Sequence, residues 1–365
     1  MSTTARALAP RARLWCHAAV TNAPRLIALR PLRHACYQCG TCCQGWRVHL
    51  TEAERERVLR QAVELEVVNP VLEHVVEGDD NNTPRFMLRT DKGRCVFLSE
   101  DNLCRIHGTF GADEKPLVCR QFPRRVTQAE DGLRLGIDPA CTSTYRSWEN
   151  GPEVEPLLGM QSTVILGPEL IASEQGLLAL LSQPDMTIAR FVAIITGAPP
   201  HLTELPVGFV GRVIACLRIA DLAPFFKDPG AGRDVLYRIS HLPEFLRTLS
   251  PTEPPPWQGR LTPALDAFAR EVMRRHLFMR LGDPELPPMA QALLMLTGVL
   301  VCGWADANEE SFPEALAAWV RLVRIRGFWS RYLPETATAR WLMLGDGEPP
   351  QAPDDAAEVT APEEP

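Results

Sequence analysis

The chain has 365 residues, of which 45% are hydrophobic, and a formal net charge of -7. This length allows about two domains, and the apolar content excludes an intrinsically disordered protein. The last twenty residues carry seven acids and no lysine or arginine, so the rest of the chain is nearly neutral. We therefore expect no nucleic-acid partner. The longest apolar run, residues 293–302, is too short for a membrane span and predicts a buried helix instead.

Residues 1–33 form a basic leader with six arginines and no acid. The composition resembles an organelle transit peptide, but we expect a poorly ordered leader, and the continuous apolar segment of a secretory signal is missing. Many cysteines without a secretory signal indicate a reducing compartment. Arginine exceeds lysine, and alanine and proline are abundant, as is typical of GC-rich bacterial genomes. These features predict a cytoplasmic bacterial protein.

The most informative stretch is C-x-x-C-x-x-C-C at residues 36–43. Four more cysteines follow before residue 150, a concentration that packing does not require and that favours a metal, a cluster or a disulfide framework. Cys16, Cys216 and Cys302 lie outside this group, and we expect them to be small buried hydrophobic residues. The eight candidate metal ligands are Cys36, Cys39, Cys42, Cys43, Cys95, Cys104, Cys119 and Cys141.

Thiolates are soft ligands that select zinc, copper(I) or iron–sulfur clusters, and four of them complete one zinc site or one cluster. The adjacent Cys42 and Cys43 are expected to point in different directions, which favours two neighbouring sites or a multinuclear cluster. A disulfide framework is the weaker alternative, because the chain is far larger than the secreted domains that need one. His34, His49 and His107 are alternative ligands, although we expect ordinary surface histidines at these positions.

We call residues 34–50, which carry the first four candidate ligands, the cysteine knuckle. Regular elements follow it in chain order. Thr51 and Glu54 form a predicted capping box at the start of a helix that continues to about residue 67. Short strands are predicted at residues 86–88, 95–98 and 103–107, and these would bring Cys95 and Cys104 to one site. Residues 112–125 predict a short helix or turn that ends at Pro123. Residues 133–137 predict a strand, and residues 138–148 a helix-like segment.

Three arginines surround Cys119 in the sequence: Arg120, Arg124 and Arg125. They either offset thiolate charge, or bind an anionic ligand such as a carboxylate, or form a surface cluster that nearby acids neutralise. The sequence leaves these alternatives open.

Beyond a proline- and glycine-rich linker at residues 151–156, the periodicity is helical throughout. The predicted helices cover residues 168–181, 187–196, 205–219, 232–249, 263–281, 288–305, 313–327 and 336–344. The predicted domains are therefore a basic leader at 1–33, a cysteine-cluster metal domain at 34–150, an α-helical domain at 151–345 and an acidic disordered tail at 346–365. The fold class is mostly α, with an irregular α+β cysteine-cluster domain before the helical domain.

The four cysteine-bearing segments, in their order, resemble the CxxCxxCC family of YkgJ-like zinc- or iron-chelating domains. The resemblance rests on residues 36–43, 93–98, 103–106 and 119–124 and covers roughly residues 34–150. The family includes the flagellin lysine-N-methylase, and Trp46 and the Phe122-Pro123-Arg124 stretch resemble that branch in particular. The resemblance implies a metal centre, and in the methylase branch it implies S-adenosylmethionine as a cofactor and flagellin as a protein partner.

The sequence lacks the glycine-rich dinucleotide fingerprint, the phosphate-binding loop and the H-E-x-x-H and G-x-S-x-G motifs. The C-x3-C-x2-C spacing of radical S-adenosylmethionine enzymes is also missing. Two hypotheses remain: a metal-containing methylase of protein lysines, and a non-catalytic zinc- or iron-chelating module.

Overall fold

A computed structural model of the chain describes residues 25–44, 48–75, 84–159, 161–199, 201, 205–219, 250–253, 257, 260–282, 286–305, 308–324 and 342–345. The predicted fold class is confirmed: short strands and helices surround the cysteines, and long helices follow. Most of the basic leader, the acidic tail, Trp46 and the helix predicted at residues 232–249 lie outside the described residues, as does most of the helix predicted at 336–344.

Two small sheets support the cysteine-cluster segment. In the first, β2 (His49–Leu50) and β3 (Val71–Val75) pair antiparallel with the central strand β4 (Pro84–Leu88). The second is the hairpin of β5 (Thr90–Asp91) and β6 (Arg94–Cys95). Helix α1 (Glu52–Glu64) begins with the predicted capping box, which is confirmed because Thr51 and Glu54 exchange side-chain and backbone hydrogen bonds.

A third, four-stranded sheet has the order β1-β8-β7-β9. Strands β7 (Arg124–Ala129) and β8 (Gly132–Ile137) form an antiparallel hairpin, while β1 (Leu26–Ala28) and β9 (Ser162–Thr163) run parallel to their neighbours. Residues 25–33, which the sequence placed in the poorly ordered leader, are thus part of the fold, because β1 completes this sheet. Strand β9 joins the same sheet from beyond the predicted linker.

Two predictions in the cysteine-cluster segment are wrong. The strand predicted at residues 103–107 is helix α2 (Arg105–Phe110): only one bridge, between Leu98 and Cys104, forms before the chain turns, and Ile106 is then buried in the core. Strand β7 was missed because the helix or turn at residues 112–125 was extended too far. The structure has helix α3 (Leu117–Gln121), and the chain becomes extended after Pro123.

The described helices of the helical segment, the predicted α-helical domain at residues 151–345, follow the sequence prediction closely. Helix α5 (Pro168–Leu181) and the buried helix α9 (Pro288–Ala305) have the predicted bounds. The other helices differ by a few residues at their ends. They are α6 (Ile188–Ile195), α7 (Val207–Ile219), α8 (Pro263–Phe278) and α10 (Ser311–Leu322). Before them, the helix-like segment predicted at residues 138–148 is only the short helix α4 (Thr144–Ser147).

By length and composition alone, helix α9 could cross a membrane. However, 89% of this 18-residue apolar stretch is buried inside the protein. Core helices of globular proteins have the same properties. Trp319 of α10 packs against it, with the indole Nε1 donating a 3.0 Å hydrogen bond to Leu294 O. A Cβ at Gly298 would lie 2.1 Å from the Trp319 ring, so the two helices can approach this closely only at a glycine.

A buried ionic network joins the four-stranded sheet to the helices. Arg134 on β8 donates a 2.6 Å hydrogen bond to Glu174 on α5, and Arg280, just after α8, donates a 2.7 Å bond to the same carboxylate. Arg280 also binds Glu130 at 2.8 Å, next to the hairpin turn. Buried charges are stable only when paired in this way. The network therefore fixes the orientation of the sheet relative to the helical segment.

Candidate metal centre

Five of the eight predicted ligands lie around one cavity of about 240 Å³. We call it the cysteine cavity. Its thiols come from four separate stretches of the chain, and Phe97, Ile106 and Phe122 form apolar walls beside them. The five cysteines are Cys42, Cys43, Cys95, Cys104 and Cys119. Residues up to 77 positions apart in the sequence are thus brought to one place.

A tight turn presents the first pair of thiols. Gly40 has φ +70° and precedes the 3-10 turn Thr41–Cys43, and a Cβ at Gly40 would lie 2.7 Å from the side chain of Asn102. The turn places the sulfurs of Cys42 and Cys43 3.9 Å apart, both facing the cavity. Two sulfurs bound at about 2.3 Å to one tetrahedral ion are about 3.8 Å apart. The expectation that this pair points in different directions is therefore wrong.

The other three cavity thiols are held at the edge of a small core. Cys95 ends strand β6, Cys104 is the residue before helix α2, and Cys119 lies within α3. All three pack against a small core that includes the buried Phe97 and Ile106. A bridge between Gln44 and Arg94 connects the cysteine knuckle to the β5–β6 hairpin. The predicted approach of Cys95 and Cys104 therefore occurs, although a hairpin and a helix start bring it about.

Cys36, Cys39 and Cys141 do not line the cysteine cavity. Cys36 is exposed. The Cys39 sulfur lies 3.2 Å from Thr41 Oγ1 and 3.1 Å from Thr142 Oγ1, and it lines a separate cavity of about 70 Å³. Cys141 is half-buried, with its sulfur 3.4 Å from His34 Nε2.

The three candidate histidines differ in position. His34 lies beside a predicted thiol ligand, and burial, with the charges of Arg124 and Arg275, lowers its pKa to about 4. A neutral imidazole is the form that can bind a metal. His49 and His107 are exposed, as expected of surface residues. His34 is therefore the histidine to consider as a ligand alongside Cys141.

The adjacent thiols are electrostatically different. The Cys42 pKa is lowered, chiefly because the Cys43 thiol donates a hydrogen bond to it, and the positive charges of Arg321 and Lys115 add to this effect. The Cys43 pKa is raised by the same bond and by burial. Burial also raises the pKa of Cys95 to about 11 and that of Cys119 to about 12. The Cys42 thiolate is thus favoured without a metal, whereas Cys43, Cys95 and Cys119 need a cation to lose their protons.

Two arginines of the helical segment reach this region, and the sequence did not indicate either. Arg321 on α10 donates from Nη1 to Thr41 O at 2.9 Å and from Nε to Ala140 O at 3.0 Å. Arg324 binds both oxygens of the fully buried Asp138 at 2.8 Å. The only available signal was their spacing of three residues, which places them on one helix face.

The arginines near Cys119 take different roles. Arg124 and Arg125 line the cysteine cavity, as does Lys115. Arg125 lies 3.8 Å from Asp138, whereas Arg120 contacts the exposed Asp113 at 4.0 Å. The surface-cluster alternative thus fits Arg120, and the charge-offsetting alternative fits Arg124 and Arg125 better.

The donor set fits a soft metal, because five thiols face one cavity that also has cations in its lining. In the part of the chain that the structure describes, no three His, Cys, Asp or Glu side chains are already arranged around a single ion position. Metal binding by these thiols would require side-chain rotation within the cavity. Cys42, Cys43, Cys95, Cys104 and Cys119 are the residues that could hold the metal together there.

Comparison with known proteins supports the same interpretation. Residues 35–142 match the CxxCxxCC family, described as a "Putative zinc- or iron-chelating domain". The predicted resemblance is confirmed. A lysine-N-methylase of Salmonella typhimurium is 27% identical over 118 residues, which is 32% of this chain and 29% of the relative. The chain thus spans less than a third of the length of that relative.

Two further relatives match a similar share of this chain. A flagellar biosynthetic protein, FliU of Salmonella muenchen, is 24% identical over 123 residues, covering 32% of this chain and 69% of the relative. An uncharacterized protein of Methanocaldococcus jannaschii is 30% identical over 113 residues, which cover 30% of this chain and 36% of the relative. No solved structure matches the chain. The matched family segment ends long before helix α10, which carries Arg321, and before Arg324, which follows that helix.

Proposed function

We propose that this protein binds zinc or an iron–sulfur cluster through its cysteine cluster, with Cys36, Cys39, Cys42, Cys43, Cys95, Cys104, Cys119 and Cys141 as the ligand set. The observation that carries the proposal is the meeting of five thiols from four chain stretches at one cavity. Metal–thiolate bonds would stabilise this arrangement and contribute directly to folding.

The test is anaerobic purification followed by metal analysis, acid-labile sulfide analysis and an absorption spectrum. Iron and sulfide in similar amounts with visible absorption would establish an iron–sulfur cluster. Stoichiometric zinc without sulfide would establish a zinc site. A Cys42→Ser, Cys43→Ser double variant should lose most of the metal, with Cys216→Ser as a control, since Cys216 is buried in the helical core. Metal-free protein with freely reactive thiols would contradict the proposal.

A methylase of protein lysines is the second candidate, and the alignment with a protein named lysine-N-methylase favours it. In this version the donor is S-adenosylmethionine, the partner is a protein such as flagellin, and the reaction takes place in the cytoplasm. The lack of a recognised donor-binding fingerprint in the sequence favours the non-catalytic chelating module instead.

Calorimetric titration of S-adenosylmethionine into the metal-loaded protein separates the two. Saturable binding, followed by transfer of a labelled methyl group to flagellin, is the result expected of the methylase. If the metal-loaded protein shows no heat of binding, the hypothesis of a non-catalytic chelating module remains.

A further inference from the structure

The two segments that carry the knuckle and Cys141 are connected by one side chain of the helical segment. Arg321 donates a 2.9 Å hydrogen bond to Thr41 O, directly before Cys42, and bonds of 3.0 and 2.9 Å to Ala140 O, directly before Cys141. Because the guanidinium is planar and donates in a fixed fork, it sets the distance between these two backbone positions. Arg321 of α10 thus adds a link from the helical segment to the direct contacts between these two segments, such as that of Cys39 with Thr142.

The surroundings of Arg321 also place its positive charge next to sulfur. Its carbonyl partners, Thr41 and Ala140, directly precede Cys42 and Cys141 in the chain, so the guanidinium lies beside both thiol-bearing residues. The nearby carboxylate of Asp138 is already bound on both oxygens by Arg324, at 2.8 Å each. A buried cation needs a counter-charge to be stable. Metal-bound thiolates of Cys42 and Cys141 would fill that role.

We propose that Arg321 is a part of the metal centre supplied by the helical segment: it positions the Cys42 and Cys141 segments and neutralises the negative charge of the metal–thiolate group. Four thiolates around Zn²⁺ carry a net charge of about -2, so a neighbouring cation favours the loaded state. The inference rests on the proposed metal binding. It adds that the segment matched by the chelating family is completed by a residue about 180 positions beyond its end.

Coupling of this kind is reciprocal. If α10 stabilises the loaded centre, then loading the centre must stabilise the packing of α10 by the same free energy. The coupling can therefore be measured from either end, at the metal or at the helix.

The first experiment measures Zn²⁺ affinity by competition with a chromophoric chelator in the full-length protein. The Arg321→Gln variant removes both the positive charge and the forked hydrogen-bond donors of the guanidinium. The Arg321→Lys variant keeps only the charge. Arg212→Gln is the matched control, because Arg212 also donates to two backbone carbonyls, Leu342 O and Met343 O, at 2.8 and 2.9 Å. Loss of a residue that supports metal ligands typically lowers affinity about 10- to 100-fold. We expect that loss for Arg321→Gln, a partial loss for Arg321→Lys and wild-type affinity for Arg212→Gln.

Wild-type affinity in a folded Arg321→Gln protein would overturn the inference while leaving the metal site intact. A wild-type protein that binds no Zn²⁺ would overturn the proposed function itself. If Arg321→Gln does not fold, hydrogen exchange of the wild-type protein decides the question. We expect amides of α10 to exchange more slowly after Zn²⁺ loading, and unchanged exchange there would overturn the inference.

Discussion

The helical segment and the cysteine-cluster segment bury very different amounts of apolar side chain. Long helices such as α8 and α9 pack into one large core, which includes the fully buried Phe191, Phe312 and Trp319. The core under the knuckle contains seven buried hydrophobic residues, and half-buried cysteines form its edge. Apolar burial is the main stabilising term in folding. The helical segment can depend on apolar burial, whereas the cysteine-cluster segment needs an additional source of stability.

Removing the metal should have the largest effect, and it should destabilise the cysteine-cluster segment but not the helical segment. Structural zinc in small domains contributes about 10–16 kcal/mol of apparent binding free energy. We expect a strong chelator to abolish hydrogen-exchange protection around α2, α3 and the β5–β6 hairpin, while α5 and α9 stay protected. Equal loss of protection in both segments would show that they fold as one unit. Unchanged protection everywhere would show that the thiols do not depend on a metal.

The complementary prediction perturbs the helical core. Phe191 is fully buried on α6, and replacing it by alanine should cost about 3–5 kcal/mol, because the lost burial is combined with a cavity. Denaturant unfolding of the helical segment measures the loss, and Phe191→Leu should cost much less. The metal content per chain should stay at the wild-type value in conditions where the variant is folded. Metal loss in the folded variant would weaken the comparison.

Acid should destabilise the helical segment through His276. Burial, with the repulsion of Arg324, lowers the pKa of this imidazole to about 3, although the charge of Asp138 acts in the opposite direction. A neutral folded imidazole whose unfolded pKa is near 6.5 stabilises the protein above pH 6.5 and loses that contribution as the pH falls towards 3. In metal-free protein, the unfolding free energy of the wild type should fall more steeply than that of His276→Gln, by up to about 1.4 kcal/mol per pH unit. Parallel curves would contradict this assignment.

The smallest effect compares two matched helix caps. Thr51 accepts a hydrogen bond from Glu54 N at the start of α1, and Thr187 accepts one from Arg190 N at the start of α6. Each threonine-to-alanine change should cost about 1 kcal/mol. Thr51→Ala should lower the stability of the cysteine-cluster segment, and Thr187→Ala that of the helical segment, as hydrogen exchange of each would report. The same response of both segments to either change would argue against separate stabilisation.

The parts of the fold that local sequence determines were predictable. The capping box at Thr51, the helix at residues 168–181 and the buried helix at residues 288–305 depend on spacing within a few turns of chain. The strand predicted at residues 103–107 was wrong because a short apolar stretch does not distinguish a strand from a buried helix start. Strand β7 was missed because the predicted helix or turn at residues 112–125 was extended over its first two residues.

The candidate site shows the same division. The cysteines could be recognised as a group because they are concentrated in one third of the chain. Arg321 and Arg324 could not, because in the helix predicted at residues 313–327 they look like ordinary solvent-facing arginines, and only the tertiary structure brings them to Thr41 and Asp138. The sequence also gave no reason to divide the thiols into five at the cysteine cavity and three outside it.

The most direct test of the central claim is X-ray absorption spectroscopy of the anaerobically purified protein at the edge of whichever metal it contains. Thiolate ligation predicts a first shell dominated by sulfur, at about 2.3 Å for zinc. The Cys42→Ser, Cys43→Ser variant should lose the metal or show reduced sulfur coordination. A first shell of oxygen and nitrogen alone would contradict the account, because the metal would then be bound outside the cysteine cluster.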